Sequence, residues 1–197
     1  LVAESIWVFI SHSSDDVALA RALAELIRVT FRVKTAQIRC TTVDGYRLPA
    51  GADTDQQLRQ EIVEARVFIG VLTHSSARSD YVLFELGARW GADKYLMPVV
   101  GAGYRPSALP GPIRGRHALD LAKRTQVLDL LRAVERQLRR PREQESAIES
   151  AVDAVVAAAS APGPPPPPDS RTPSESHRIQ AVLRDVNMLS SVRRARK

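Results

Sequence analysis

Val67-Phe-Ile-Gly-Val-Leu72, six connecting residues, then Ser79-Asp-Tyr-Val-Leu-Phe-Glu-Leu-Gly-Ala-Arg-Trp-Gly91 is the stretch that decides the fold. The first block is a short continuous apolar run, the pattern of a strand buried on both faces. The second block places Val82, Leu83, Leu86 and Trp90 within a sector of about 100° when wound at roughly 100° per residue, which predicts a helix over 80–90 with Ser79 as its N-cap. A strand that feeds a helix through a short connection puts the helix's first turns near the carboxyl edge of a sheet, where open α/β folds bind ligands. Glu85 lies in the second turn, roughly 60° outside the nearer edge of the apolar sector, at the border of the buried face. Tyr81 and Arg89 are its neighbours one turn to either side. The residues alone leave two readings open. Glu85 is either a carboxylate lining a cleft wall or half of an exposed Glu85–Arg89 pair contributing about 0.3–0.5 kcal/mol.

Outward from this unit the alternation continues in both directions. Toward the amino end, Ile6–Ile10 is a short apolar strand, and Ser13-Ser14-Asp15-Asp16 supplies N-cap residues for a helix over 16–29. Val33–Cys40 reads as a second strand, 41–51 as a Gly/Pro loop, and 53–65 as a helix with Leu58 and Ile62 inward. Toward the carboxyl end, Leu96–Val100 and His117–Leu121 read as strands four and five. Helices over 126–139 and 142–160 follow, the second carrying Ile148, Val152, Val155 and Val156 on one stripe. Repeated strand–helix units with continuous apolar strands predict a doubly wound parallel α/β sheet. The expected division is a domain over 1–140, a helical extension over 141–161, a proline-rich linker over 162–171 and a basic amphipathic helix over 172–197. The linker begins Pro162-Gly-Pro-Pro-Pro-Pro-Pro168, a stiff spacer of about 20 Å at ~3.1 Å per residue. Thr172-Pro-Ser-Glu175 is a capping box, and Ile179, Val182, Leu183, Val186 and Leu189 share one face of the helix it starts. That face packs back on the domain, pairs with a second copy or takes a partner protein.

The net charge of +6 on 197 residues is located rather than spread. Residues 170–197 hold seven Lys/Arg against Glu175 and Asp185, a net of +5, which leaves the rest of the chain near neutral. A basic tail on a neutral domain is not a basic binding face, so nucleic acid is not the expected partner of the folded part. No apolar run approaches the roughly 18 residues of a membrane span, and no membrane partner is expected. With a strand pattern arriving at Ile6, no signal peptide is expected. The lone Cys40 fits a reducing compartment, and the expected location is cytoplasmic. There is no Gly-x-Gly-x-x-Gly or P-loop pattern and no metal-ligand cluster, so neither a bound cofactor nor a metal is called for.

Three segments in register resemble the TIR (Toll/interleukin-1 receptor) domain family in its bacterial form. Phe9-Ile-Ser-His-Ser-Ser-Asp-Asp16 looks like the family's first box. Asp44-Gly-Tyr-Arg-Leu-Pro-Ala-Gly51 falls at the long loop after the second strand. Ser79–Leu86 matches the pattern Ser-x-Trp-Cys-x-x-Glu-Leu, with Tyr81 at the Trp position and Val82 at the Cys position. The resemblance covers roughly residues 5–140 and implies a flavodoxin-like, five-stranded parallel sheet. It also implies two alternative functions. Many relatives cleave NAD⁺ to nicotinamide and ADP-ribose or a cyclic product, in defence or signalling, and their catalytic glutamate falls on Glu85. Others act only by homotypic contacts between such domains. On the first alternative NAD⁺ is the substrate and two copies assemble to complete a site. Ser11, His12 and Ser13 then lie at the sheet's carboxyl edge, where backbone amides entering a helix meet phosphate. Asp44, Tyr46 and Arg47 border the nucleotide, and Tyr81 stacks on one of its rings. A remoter alternative is a deoxyribosyltransferase-like enzyme, which also pairs this sheet with a glutamate.

Overall fold

The computed structural model of the chain describes residues 5–40, 43 and 54–163. Five strands make one sheet: β1 (Val8–Ser11), β2 (Ile38–Arg39), β3 (Val67–Leu72), β4 (Met97–Val100) and β5 (Leu119–Asp120). All neighbours are parallel and the order is β2-β1-β3-β4-β5. This is the doubly wound parallel sheet that the alternation predicts, in the flavodoxin-like form that the resemblance implies. The chain runs outward from β1 to β2, then returns to the other side of β1 for β3. The topological switch therefore lies between the carboxyl ends of β1 and β3.

The helices divide between the two faces, and strand alternation decides which side chains they cover. Val8 and Ile10 of β1, Val67, Ile69 and Val71 of β3, and Met97 and Val99 of β4 point into one core. That core is closed by α1 (Val17–Phe31), α4 (Arg124–Leu138) and α5 (Glu145–Ser160). Phe9, Phe68, Leu72 and Val100 point the other way, beneath α2 (Thr54–Glu64) and α3 (Asp80–Gly91). On this face Phe9 and Phe68 are direct register partners and stack with ring centroids 5.1 Å apart.

Gly70 of β3 makes room for a side chain of α3: a Cβ there would come within 2.5 Å of Leu86 Cδ2, so a larger residue would push the end of the Leu86 side chain aside. Ser79 caps α3 by accepting from the Val82 N–H at 3.4 Å, as its sequence pattern predicts. α2 turns Leu58 and Ile62 inward as expected.

Two expectations need correction. The second strand shrinks from Val33–Cys40 to Ile38–Arg39, because a 3₁₀ turn (Thr35–Gln37) takes up the segment before it. The Gln37 side chain accepts from the Lys34 N–H at 3.1 Å and holds that turn. The Ser/Asp cluster before α1 also does not cap it by side chain. A 3₁₀ turn (Ser14–Asp16) intervenes, and Asp16 spends its carboxylate elsewhere. The expected proline-rich linker beyond Gly163 and the basic helix over 172–197 lie outside the described residues.

Candidate functional site

β1 ends at Ser11 and α3 carries Glu85, and the two meet at the switch point. Ser11 Oγ donates to Glu85 Oε2 at 2.5 Å. Glu85 is only 1% exposed, so its expected position at the border of the buried face is corrected to full burial. The buried face of α3 is Val82, Glu85, Leu86 and Arg89 rather than the sector through Leu83 and Trp90. Its second carboxylate oxygen, Oε1, is buried and has no hydrogen-bond partner among the described residues. Burial pushes the Glu85 carboxyl up to about 7, with the Ser11 hydroxyl pulling in the opposite direction.

The alternative reading of an exposed Glu85–Arg89 pair does not hold. Arg89 is itself buried, and its hydrogen bonds go to backbone carbonyls, with the guanidinium carbon 5.7 Å from the centre of the Phe68 ring. Its Nε donates to Tyr95 O at 2.9 Å, Nη1 to Ile62 O and Val63 O at 2.7 Å each, and Nη2 to Ala65 O at 2.8 Å. Three of these carbonyls end α2, where the helix dipole favours a cation.

The rest of the β1–α1 connection packs against the same place. His12 is buried, with Nδ1 3.1 Å from Ile10 O and the ring 3.7–3.8 Å from Cys40 Sγ. Burial lowers the His12 pKa, opposed by the Ile10 carbonyl and by the charge of Asp16. Burial first, and then the negative charge of Glu85, push the Cys40 thiol up to about 12, so Cys40 is a protonated packing group and not a nucleophile. Ser13 Oγ donates to Asp16 Oδ2 at 2.5 Å, and Thr73 Oγ1 donates to the same oxygen at 2.9 Å. Thr73 follows β3, so Asp16 ties the loop after β1 to the loop after β3 across the switch point. Ser76 continues the tie by accepting from the Thr73 N–H at 2.7 Å.

The structure thus brings Ser11, His12, Ser13 and Glu85 to one end of the sheet. Tyr81 lies one turn before Glu85 and is 50% exposed. Asp44, Tyr46 and Arg47 lie outside the described residues. The elements before and after them in the sequence are clasped: Arg39, at the end of β2, donates from Nε and Nη2 to both carboxylate oxygens of Glu61 in α2, at 2.5 and 2.7 Å. Gln57 Nε2 adds a bond to Glu61 at 2.9 Å. Sequence reasoning did not foresee Asp16, Thr73 or the Arg39–Glu61 clasp, whose partners are distant in sequence. A Ser-x-x-Asp pattern after a strand is the one local signal that pointed toward Asp16.

No curated protein matches the chain in a sequence comparison. The profile of the TIR domain does match, over residues 8–138, from the first residue of β1 to the last of α4 and well over half of the chain. The five parallel strands in the order found here agree with it, and the chain belongs to the TIR domain family.

Proposed function

We propose that the protein is an NAD⁺ glycohydrolase in which Glu85 is the essential catalytic residue. The observation that carries this reading is the state of the Glu85 carboxyl group: buried at the switch point, raised to about 7, one oxygen held by Ser11 and the other unpartnered among the described residues. A perturbed carboxyl with an open acceptor at a sheet's carboxyl edge is the signature of a working group rather than of a surface salt bridge.

The chemistry asks for little else. The bond from ribose C1′ to the nicotinamide nitrogen breaks with its electron pair leaving on nicotinamide, which departs neutral and needs no general acid. Positive charge develops on the ribose, as in glycoside hydrolysis, and a carboxylate beside it stabilises that charge. Water then bonds to C1′ and loses a proton, giving ADP-ribose; capture by the substrate's own adenine nitrogen gives a cyclic product instead. Glu85 Oε1, without a hydrogen-bond partner among the described residues, is the acceptor for a ribose hydroxyl. Ser11 keeps Oε2 in place, so the carboxylate does not have to reorient as charge develops. Tyr81, one turn earlier and half exposed, covers a ring of the dinucleotide in this proposal. Assembly of two copies and a role in defence or signalling belong to the same proposal.

The test is nicotinamide release from NAD⁺ by the full chain at high protein concentration, wild type against Glu85→Gln. The expected outcome is turnover by wild type and a loss of at least a hundredfold in the variant, which keeps the shape and the Ser11 contact. Equal rates would remove Glu85 from the chemistry.

A second reading, a module acting through homotypic TIR contacts, is favoured by one observation. Phe84 is 58% exposed on the outer face of α3, beside Tyr81. Absence of nicotinamide release even under enforced self-association, together with dissociation of the assembly by Phe84→Ser, would favour that reading instead.

A further inference from the structure

Arg78 is the last residue of a 3₁₀ turn (Ser76–Arg78) in the connection between β3 and α3, one residue before the Ser79 cap. Its Nε and Nη2 are buried and have no hydrogen-bond partner among the described residues. These two nitrogens form the side of the guanidinium that grips a carboxylate or phosphate with two parallel bonds. The residue as a whole is only half-buried, but these two donors are shut off from water, and donors left unsatisfied in that way cost stability that an oxyanion would recover.

The two arginines that are buried as whole residues on this face of the sheet show the contrast. Arg39 has its Nε and Nη2 on the Glu61 carboxylate, and Arg89 has its donors on four backbone carbonyls. Arg78 has the same fork with no acceptor on it, in the very connection that carries the chain from the switch point to Glu85. The first turn of α3 begins two residues later, and its positive end adds to the attraction for an anion.

We infer that Arg78 binds an oxyanion of the substrate, the pyrophosphate of the dinucleotide whose ribose lies at Glu85. The inference rests on the proposed function for the identity of the anion. The division of labour is simple: Glu85 faces the charge that appears during the reaction, and Arg78 faces the charge that is present throughout. Arg78 is therefore a binding residue whose loss weakens ground state and transition state alike.

The test measures binding apart from turnover. The full chain carrying Glu85→Gln is titrated calorimetrically with NAD⁺, ADP-ribose and adenosine, with and without Arg78→Met or Arg78→Lys. The expected result is a loss of tenfold or more for NAD⁺ and ADP-ribose with methionine and a smaller loss with lysine, which keeps the charge without the fork. Adenosine, which has no phosphate, is expected to show no change. Without ligand, Arg78→Met is expected to melt at or above the temperature of its parent, because two buried, unsatisfied donors have been removed. Equal ADP-ribose affinity in parent and methionine variant overturns the inference, as does a lowered melting temperature with affinity unchanged, which marks Arg78 as structural. No ADP-ribose binding by the parent also overturns it, and so does a change in self-association alone, which would assign the fork to a carboxylate of a second copy. The two proposals fail separately. Binding through Arg78 without nicotinamide release by wild type sinks the glycohydrolase and leaves the anion site, whereas turnover with unchanged KM in Arg78→Met does the reverse.

Discussion

The carboxyl group of Glu85 is caught between burial, which favours its protonated form, and a single hydroxyl from Ser11, which favours the charged one. Burial is the larger effect, so the folded protein holds this proton up to about pH 7, whereas an exposed glutamate releases it near 4.5. The sign for stability follows. Between those pH values the folded state binds more proton than the unfolded chain, so this group's contribution falls as pH rises, by on the order of 3 kcal/mol across the window. Glu85→Gln should flatten that slope and be at least as stable as wild type at pH 8, which urea unfolding at pH 5 and pH 8 would measure. For catalysis the active form is the carboxylate, so kcat/KM should rise with pH through about 7 and level off above it. Ser11→Ala removes the one stabilising hydrogen bond and should move that rise to higher pH by up to about one unit. An unmoved profile would mean that Ser11 does not hold the working carboxylate.

At the scale of the element, α3 is fixed at three points, and each acts on where Glu85 sits. Ser79 fixes its start, Gly70 lets Leu86 settle against β3, and Arg89 bolts it to three carbonyls at the end of α2 and to Tyr95 O before β4. Arg89→Met keeps much of the volume but leaves these carbonyls without their donor. At about 1–3 kcal/mol for each group stranded in a buried place, partly relieved by relaxation, the loss should be about 3 kcal/mol or more. Thermal unfolding would show it, and a cost below 1 kcal/mol would mean that the bolt is idle. The run Val67–Leu72 and the helix after Ser79 could be read in the sequence because both signals are local: an apolar run and a period of 3.6. The burial of Glu85 could not, because its partner Ser11 lies 74 positions away and a helical wheel carries no information about what crosses the sheet. The partners of Arg89 could not be read for a related reason. A backbone carbonyl has no residue type, so nothing in the sequence announces four of them as the partners of one guanidinium. The short β2 has the opposite origin, a local turn held by Gln37 that an apolar-run reading passes over.

At the scale of the whole molecule, the match to the TIR domain ends at residue 138, but the core does not. Ile148, Val152, Val155 and Ala159 of α5 are buried in the same cluster as Val8 and Ile10 of β1, and α5 packs along α1 and against α4. Its last turn also reaches the carboxyl edge of the sheet, where Ala159 O accepts from the Ala102 N–H at 2.7 Å, just beyond β4. Burying each of the three large aliphatic side chains contributes about 1.5–3 kcal/mol, so their removal would cost roughly 5 kcal/mol, as much as the whole stability of many domains. A chain ending at residue 140 should therefore melt at least 10 °C below the full chain or fail to stay soluble, because α1 and α4 would expose the groove that α5 fills. A chain ending at residue 163 keeps α5 and should melt within a few degrees of the full protein. Circular dichroism on the three lengths would decide it. If the 140-residue chain melts with the full one, α5 is an appendage resting on a domain complete without it. If the 163-residue chain is the one that falls, the stabilising contacts lie beyond Gly163 instead.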